Sequence, residues 1–500
     1  MLQARIGNNA YVFHTSSKDD FKPYRERTIG YNQTFETPYG RKKIVYADWA
    51  ASGRLYGPIE SKLATDFGPF MANTHSESNV TGTTMTKAYE EAKQIIKNHV
   101  HAGKQDILLF AGSGMTGAVN KLQRLLGLKI HEKLRSAFPI PEEDRPVIFI
   151  THMEHHSNHI SWAETIGDVV CIPPGPGGNV DPGNLELLLR AYRHRRLKIG
   201  AFTACSNVTG FETPYHALSR KMHEYGGLCF VDFSASAPYV DINMHPGQPL
   251  EKLDGIIFSP HKFLGGPGTS GVLIMDSRLC TGLAPDQPGG GTVSWTNPWG
   301  EYGYLADVEA REDGGTPGIL QAIRTALCIQ LKEHWGTDKI LEREKELTSL
   351  LLMELRNIPR LHILGGSSRN RLGIVSFNVD HIHYNLMVKL LNDRFGIQAR
   401  GGCSCAGPYG HHLLGIDRNT SRQIADKINA RDLSMKPGWV RLSLHPTMTN
   451  SEISYIGASI RAVSDHISEW IQDYTYNPDS NEWRHVRGEK RLNVREWFAF

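Results

Sequence analysis

Short apolar runs alternate with helical stretches along the first two thirds of the chain. Seven of these runs are rich in β-branched residues: Ile107–Phe110, Val147–Thr151, Asp168–Ile172, Ile199–Ala204, Leu228–Asp232, Gly255–Ser259 and Gly271–Met275. Such alternation predicts a mainly parallel sheet with helices on both faces. We therefore expect an α/β fold built on a seven-stranded sheet.

The last third of the chain has a different pattern. After a Gly-, Pro- and Trp-rich stretch at residues 281–318, which we interpret as a long functional loop, come two helical patterns and then mixed elements. The predicted elements are helices at Leu320–Trp335 and Lys339–Leu355, a strand at Gly373–Val379, a helix at Tyr384–Phe395, a loop at 400–415, a strand at Trp439–Leu444 and a helix from Ser451 to about Tyr474.

A chain of 500 residues exceeds what a single core normally supports. We expect an N-terminal extension at residues 1–43 that packs with the small domain, a large domain at 44–320, and a smaller α+β domain at 321–500.

The composition of the chain excludes some classes of function. The chain has 55 Lys and Arg against 52 Asp and Glu, a net charge of +3, so no overall field attracts nucleic acid or a membrane. We find neither an apolar stretch long enough to span a bilayer nor an apolar run after Met1–Arg5, and we therefore expect a cytoplasmic protein. Seven cysteines, an odd number, suit free thiols in a reducing compartment.

Two charged residues follow predicted strands. Asp232 ends one apolar run, and Lys262 follows another. Because the carboxyl ends of parallel strands open onto the ligand crevice, the two side chains can converge there. A lysine at such a place is a candidate Schiff-base nucleophile, and an acid facing it could hold a pyridinium nitrogen protonated. An ordinary ion pair at the sheet edge is the alternative.

Two further motifs point to the same crevice. The turn at residues 111–116, Ala-Gly-Ser-Gly-Met-Thr, lies between a predicted strand and a helix, where backbone amides and the helix N-terminus suit a phosphate. The segment 151–158 follows another strand and carries several histidines, whose flat rings can stack on a cofactor or serve only in packing.

The joint order of these motifs resembles the class V aminotransferase superfamily, and particularly the group II cysteine desulfurases and selenocysteine lyases. The resemblance covers roughly residues 44–470. The matching segments are Ser113-Gly114-x-Thr116, Glu154-His155-His156, Ser206–Gly210, Val231-Asp232 and Ser259-x-His261-Lys262. The resemblance implies a fold-type I enzyme that uses pyridoxal 5′-phosphate.

The resemblance also implies roles for the cofactor residues. Lys262 would bind the cofactor covalently and move protons, Asp232 would pair with the pyridine nitrogen, and His155 would stack on the ring. Asn207 would reach the phenolic oxygen or the substrate carboxylate. The implied phosphate ligands are Met115, Thr116, Ser259 and His261. Where the desulfurases carry a glutamine this chain has Ala235, and Ser234 or Ser236 would have to compensate.

Other matches concern the substrate and the assembly. The segment Tyr46–Ser52, which contains Ala50, resembles the opening motif of the family, and Asn73-Thr74-His75-Ser76 resembles an element near the substrate entrance. Arg441 matches the arginine that binds the substrate carboxylate, and Arg400 a second arginine beside the catalytic loop. Thr316, in a Gly-Thr-Pro motif, would reach the neighbouring subunit's phosphate, which implies a homodimer.

The loop Arg400–Pro408 contains Cys403 and Cys405. The resemblance places Cys405 in register with the persulfide-forming nucleophile, although Cys403 is an alternative. The implied enzyme takes sulfur from L-cysteine, releases alanine, and hands the sulfur to an acceptor protein. Selenocysteine or another sulfur-containing amino acid is an alternative substrate. A thiolate is required for this chemistry, and a loop close to His and Arg suits it.

Three other interpretations of the loop remain open at this point. Cys403, Cys405, His411 and His412 could bind zinc, although their spacing matches no common zinc module. A pyridoxal enzyme could instead run a C–S or C–Se lyase, aminotransferase or epimerase reaction without a persulfide. A non-enzymatic scaffold is disfavoured because it has no need for Lys262, Asp232 and Arg441 together.

Overall fold

A computed structural model describes residues 19–74, 78–135, 137, 139–366, 370–488 and 492–499. Its centre is a seven-stranded sheet, as predicted. In chain order the strands are β1 (Asp106–Ala111), β2 (Val147–Thr151), β3 (Asp168–Ile172), β4 (Lys198–Thr203), β5 (Leu228–Asp232), β6 (Gly255–Phe258) and β7 (Gly271–Asp276).

The order of the strands across the sheet is β1-β7-β6-β5-β4-β2-β3. Strand β7 pairs antiparallel with β1 and β6, and the other pairs are parallel. Alternate residues of β2 pack on opposite faces, Val147 and Phe149 in one apolar cluster and Ile148 and Ile150 in another. Burial on both faces explains why these strands read as continuous apolar runs.

The α-helices surround this sheet and continue into the last third of the chain. They are Lys22–Glu26, Gly57–Lys62, Val80–His99, Met115–Leu125, Glu132–Arg135, Ile160–Ala163, Pro182–Ala191, Tyr215–Glu224, Val308–Arg311, Ile319–Trp335, Thr337–Arg356, Tyr384–Phe395, Gly407–Leu414, Arg418–Asn429 and Asn450–Trp470. No helix in the described part of the chain combines the length and the apolar character needed to cross a bilayer.

A second, antiparallel sheet follows in the last third. Its strands are β8 (Leu361–Ile363), β9 (Ile374–Val379), β10 (Arg400–Gly402) and β11 (Trp439–Ser443), in the order β8-β9-β11-β10. Arg400 of β10 lies directly opposite Arg441 of β11 in the sheet. The two arginines predicted to bind substrate therefore lie on neighbouring strands.

Short two-stranded pairings complete the fold. They are Thr34–Thr37 with Gly40–Lys43, Val45–Tyr46 with Ile397–Gln398, Val293–Thr296 with Tyr302–Tyr304, and Tyr474–Asn477 with Glu482–His485. Two predicted loops thus contain regular structure: residues 281–318 include a hairpin and a short helix, and residues 400–415 include β10 and the helix Gly407–Leu414. The loop predictions did not include these elements.

The segment 19–43 contacts the last third of the chain. Arg25 donates from Nε to the carbonyl of Thr447, and the Tyr39 hydroxyl donates to Asp473 over 2.6 Å. These contacts agree with an extension that packs on the smaller domain, and residues 1–18 lie outside the described part. The domain limits at 43/44 and 320/321 stay predictions.

Candidate active site

A cavity of about 430 Å³ opens at the carboxyl ends of β4, β5 and β6. This is the position at which open α/β sheets bind ligands. The predicted site residues that line it are Ala50, Met115, Thr116, His155, Asn207, Asp232, Ser259, His261, Lys262, Arg400, Cys405 and Arg441. Thr316 does not line this cavity and is exposed on the surface.

One wall of the cavity is an anion cradle built at the turn after β1. The helix Met115–Leu125 begins there without a side-chain cap, and the backbone N–H of Met115 donates to Ser259 Oγ over 2.8 Å. A Cβ added at Gly114 would lie 3.3 Å from Ser259 Oγ. The absence of that Cβ leaves room beside a helix N-terminus, which is a favourable position for a phosphate.

Lys262 follows β6 and points its amine toward the same space. Burial lowers the pKa of this amine to about 8, and Asp232 opposes the shift while Arg441 and Arg400 add to it. Since a neutral amine is the nucleophilic form, the surroundings prepare Lys262 to form a Schiff base near neutral pH.

Asp232 ends β5, and the structure buries it. Burial raises the pKa of its carboxyl, while hydrogen bonds from Ser234, including the Ser234 N–H at 2.8 Å, and the charge of Lys262 lower it. A buried carboxyl group without a cation against it is costly in its ionised form. A protonated ring nitrogen placed here would supply that missing partner.

His155 occupies the loop after β2. Burial, with Lys262, His156 and Arg441 nearby, lowers the pKa of its ring to about 4. Its Nδ1 accepts from the Ser157 N–H over 3.1 Å. The ring is therefore neutral at pH 7 and has a fixed orientation, as a stacking platform requires.

The two arginines predicted to bind the substrate both line the cavity. Arg441 is buried, donates from Nη1 to the carbonyl of Asn207 over 3.1 Å, and has an Nε without a hydrogen-bond partner. Its Nη2 donates to Asp48 Oδ1 over 2.7 Å, and Arg400 Nε donates to Asp48 Oδ2 over 3.0 Å. Asp48 thus holds both guanidinium groups in place.

The charges of the lining residues favour an anionic ligand. Lys262, Arg400 and Arg441 face the cavity, and the carboxylates close to them are Asp232 in the lining and Asp48 behind the arginines. This local excess of positive charge is present although the whole chain is nearly neutral.

The cysteine loop borders the cavity at Ser404 and Cys405. Cys405 is exposed and lines the cavity, whereas Cys403 is half-buried against the apolar core. The Asn207 amide donates from Nδ2 to the carbonyl of Ser404 over 2.7 Å. Both Ser404 and Cys405 have positive φ angles, 49° and 56°. Non-glycine residues in this region are strained, and such strain collects at functional loops.

The zinc interpretation finds no support in this geometry. Both ring nitrogens of His411 already have partners, the carbonyl of Gly407 at 2.8 Å and Ser421 Oγ at 2.9 Å. Within the described ranges, no three His, Cys, Asp or Glu side chains are grouped to hold a metal ion.

Several residues of the site were not predicted from the sequence. Asp48 was noted only as part of a motif, and Cys205 is a buried residue that also lines the cavity. Glu154 accepts from the Thr203 N–H and from Asn158 Nδ2, each over 2.8 Å, and fixes the loop that carries His155. The place of Glu154 in the Glu154-His155-His156 segment, three residues after the end of β2, was the signal in the sequence.

Comparison with known proteins now decides the family. A family model described as aminotransferase class-V matches residues 45–456. The chain belongs to the aminotransferase class-V family. Members of this family use pyridoxal 5′-phosphate.

Relatives within the class V family are similar over most of their length. A probable cysteine desulfurase from Streptomyces coelicolor is 28% identical over 371 residues, 73% of this chain and 84% of that protein. One from Halalkalibacterium halodurans is 28% identical over 373 residues, with the same two shares.

Solved structures confirm the class V fold. A cysteine desulfurase from Thermococcus onnurineus, in its apo form, superposes with a TM-score of 0.70 at 22% identity, over 89% of this chain and 98% of the other. One from Escherichia coli gives 0.65 at 21% identity, over 84% and 94%.

The cavity residues fit the class V cofactor. The cradle at Gly114 and Ser259 suits its phosphate, the depressed pKa of Lys262 suits a Schiff base, and the buried carboxyl of Asp232 suits a protonated ring nitrogen. His155 offers a neutral ring beside them. Together these features fit pyridoxal 5′-phosphate.

Proposed function

We propose that the protein is a pyridoxal phosphate-dependent cysteine desulfurase that converts L-cysteine to L-alanine and keeps the sulfur as a persulfide on Cys405. The observation that carries this proposal is that one cavity is lined by Lys262, Arg441 and Cys405. A Schiff-base lysine, a carboxylate receptor and an exposed thiol are the three groups that the reaction needs. The names of the relatives support the same activity.

The cofactor residues would act as follows. When bound, pyridoxal phosphate supplies an electron sink for the α-carbon of an amino acid. Asp232 would keep the ring nitrogen protonated, His155 would stack on the ring, and Met115, Thr116, Ser259 and His261 would hold the phosphate. Lys262, whose amine has a pKa of about 8, can accept and return a proton near neutral pH.

Arg441 would bind the substrate carboxylate. Its guanidinium group is buried and anchored by Asp48 and by the carbonyl of Asn207, and its free Nε can still donate. The fixed fork of an arginine suits a carboxylate better than a mobile ammonium group does. Arg400, Asn207 and Ala50 line the space next to it.

Cys405 would perform the sulfur transfer. Its thiolate forms a bond to the substrate sulfur, the bond between that sulfur and the β-carbon breaks, and the electron pair stays with the carbon. The carbon then takes up a proton and leaves as part of alanine. Cys405, rather than Cys403, is favoured because it is exposed and lines the cavity, while Cys403 packs against the core.

We further propose a cytoplasmic homodimer that passes its sulfur to an acceptor protein. Thr316 is exposed and lies away from its own chain's cavity, which supports a role at the site of a second copy. A mass in solution close to twice 55.9 kDa would support the dimer, and a mass of 55.9 kDa would exclude it.

A product assay tests the proposed activity. The protein loaded with pyridoxal phosphate receives L-cysteine, and alanine, pyruvate, ammonia and sulfide are measured. The proposal requires alanine, with sulfide released only when a reductant is present. In the Cys405→Ala variant alanine formation should stop, while the matched Cys403→Ala variant should remain active. Pyruvate and ammonia in place of alanine would show a lyase, and no turnover of L-cysteine would contradict the proposed function.

A further inference from the structure

His156 contacts the backbone of the cysteine loop at Cys405 and Gly407. It lies directly after His155, in a turn that follows β2. Its backbone N–H donates to the carbonyl of Cys405 over 2.7 Å, and its ring Nε2 accepts from the N–H of Gly407 over 2.8 Å. One residue therefore binds the backbone on both sides of Ala406.

The loop needs such support because its backbone is strained. The positive φ angles of Ser404 and Cys405 cost on the order of 1–3 kcal/mol each. Strain of this kind persists only when the surrounding structure fixes it. The bond from Asn207 to the Ser404 carbonyl holds one end of the strained pair, and the two bonds of His156 hold the other.

The hydrogen bond to the His156 ring also gives a partner to an N–H group at the start of a helix. Gly407 is the first residue of the helix Gly407–Leu414, and the preceding Ala406 provides no side-chain cap. The first N–H groups of a helix have no partner within the helix. Nε2 of His156 supplies one from another part of the chain, and the glycine permits the approach, since a Cβ at this position would lie 3.1 Å from that atom.

We propose that His156 is a positioning residue that holds Cys405 over the cavity through these two hydrogen bonds, one of which requires a neutral ring. The catalytic part of this inference rests on the proposed desulfurase function. Because Nε2 accepts a hydrogen bond, the proton of the neutral ring is on Nδ1. Protonation would place a second N–H opposite the N–H of Gly407 and break that bond.

The surroundings of His156 keep the ring neutral at pH 7. Burial, with the neighbouring His159, lowers its pKa below the usual histidine value. The titratable groups that face it are His159 and His155 on its own segment, the latter with ring centroids 6.3 Å apart, and Cys405 on the loop. The ring bond is therefore present above the lowered pKa and is lost as the pH falls through it.

Hydrogen exchange of the loop tests the contact without any enzyme assay. The variants are His156→Ala, which removes the acceptor, and His156→Gln, whose Oε1 can replace it. The control is His159→Ala, three residues along the same segment. In protein loaded with pyridoxal phosphate, we expect the Gly407 amide to exchange about two- to ten-fold faster in the alanine variant, as the loss of one hydrogen bond predicts. Exchange in the glutamine variant and the control should match wild type.

Sulfur transfer tests the positioning role. Persulfide on Cys405 is followed by mass spectrometry in a single turnover, while the absorbance of the Lys262 Schiff base reports cofactor binding. His156→Ala should slow persulfide formation about two- to ten-fold with unchanged absorbance. His156→Gln should restore the rate, and the ratio of its rate to the wild-type rate should rise as the pH falls through the lowered pKa of His156, because glutamine does not titrate.

The outcomes distinguish a failure of the His156 proposal from a failure of the proposed desulfurase function. Unchanged exchange at Gly407 in His156→Ala overturns the contact, and faster exchange with an unchanged transfer rate overturns the positioning role. Failure of His156→Gln to rescue, or a ratio independent of pH, overturns the requirement for a neutral acceptor. If wild type forms no persulfide, the proposed function fails, and exchange alone decides whether His156 holds the loop.

Discussion

Asp48 offers a sharp test of how the site is held together. The substitution Asp48→Asn keeps the size of the side chain and one acceptor oxygen but removes the negative charge. Asp48 is the counter-charge of Arg441, whose side chain is 3% exposed, and of Arg400, whose side chain is 46% exposed. The change therefore leaves one buried and one solvated guanidinium group without the carboxylate.

The magnitude follows from these exposures. Removing one partner of a buried ion pair costs about 3–5 kcal/mol, whereas an exposed pair contributes about 1 kcal/mol or less. Since asparagine still accepts one hydrogen bond, we expect the lower value, about 3 kcal/mol of unfolding free energy. At roughly 2 cal/mol/K of unfolding entropy per residue, a 500-residue chain that unfolds as one unit melts about 3 °C lower.

The assay is thermal unfolding followed by calorimetry at pH 7. A matched control is Asp66→Asn, which breaks a bond of the same 2.7 Å length to Lys62 between side chains that are about half exposed. The control should not change the melting temperature measurably. Equal melting temperatures for the two variants would refute the argument that Asp48 is the counter-charge of a buried arginine.

Two other predictions concern the cofactor and the substrate. The Lys262 amine has a pKa of about 8. The rate at which added pyridoxal phosphate forms a Schiff base with cofactor-free protein should therefore rise between pH 7 and 9 and then level off. A rise centred near pH 10 would contradict the lowered pKa. Arg441→Lys should raise KM for L-cysteine about ten- to hundred-fold, because the forked guanidinium group is replaced by a point charge. The Schiff-base absorbance should not change. An unchanged KM would contradict the proposal that Arg441 binds the substrate carboxylate.

The strands of the central sheet could be predicted because buried strands are continuous apolar runs in the sequence. Val147–Thr151 and Leu228–Asp232 are buried nearly throughout, and both were predicted with their observed bounds. The helix Arg418–Asn429 was not predicted, because most of its residues are polar and Ile424 is its one buried residue. Asp417 caps this helix, a signal too local to identify it alone.

The site was predictable only in part. Motifs at strand ends located Lys262, Asp232 and His155, since strand ends meet at one edge of a sheet. The contacts of Asp48 with Arg441 and of His156 with Gly407 join residues 393 and 251 positions apart in sequence. Periodicity carries no information on such pairs, because they depend on how β10, β11 and the loop after β2 are brought together.

The most direct test of the central claim is the mass of the peptide that contains Cys405 after one turnover with L-cysteine. The protein is loaded with pyridoxal phosphate, treated with L-cysteine in the absence of reductant, alkylated and digested. The proposed function predicts that the Cys405 sulfur gains the mass of one sulfur atom, in step with one alanine released per site. Alanine release without added mass on Cys405, or added mass on Cys403 instead, would contradict it.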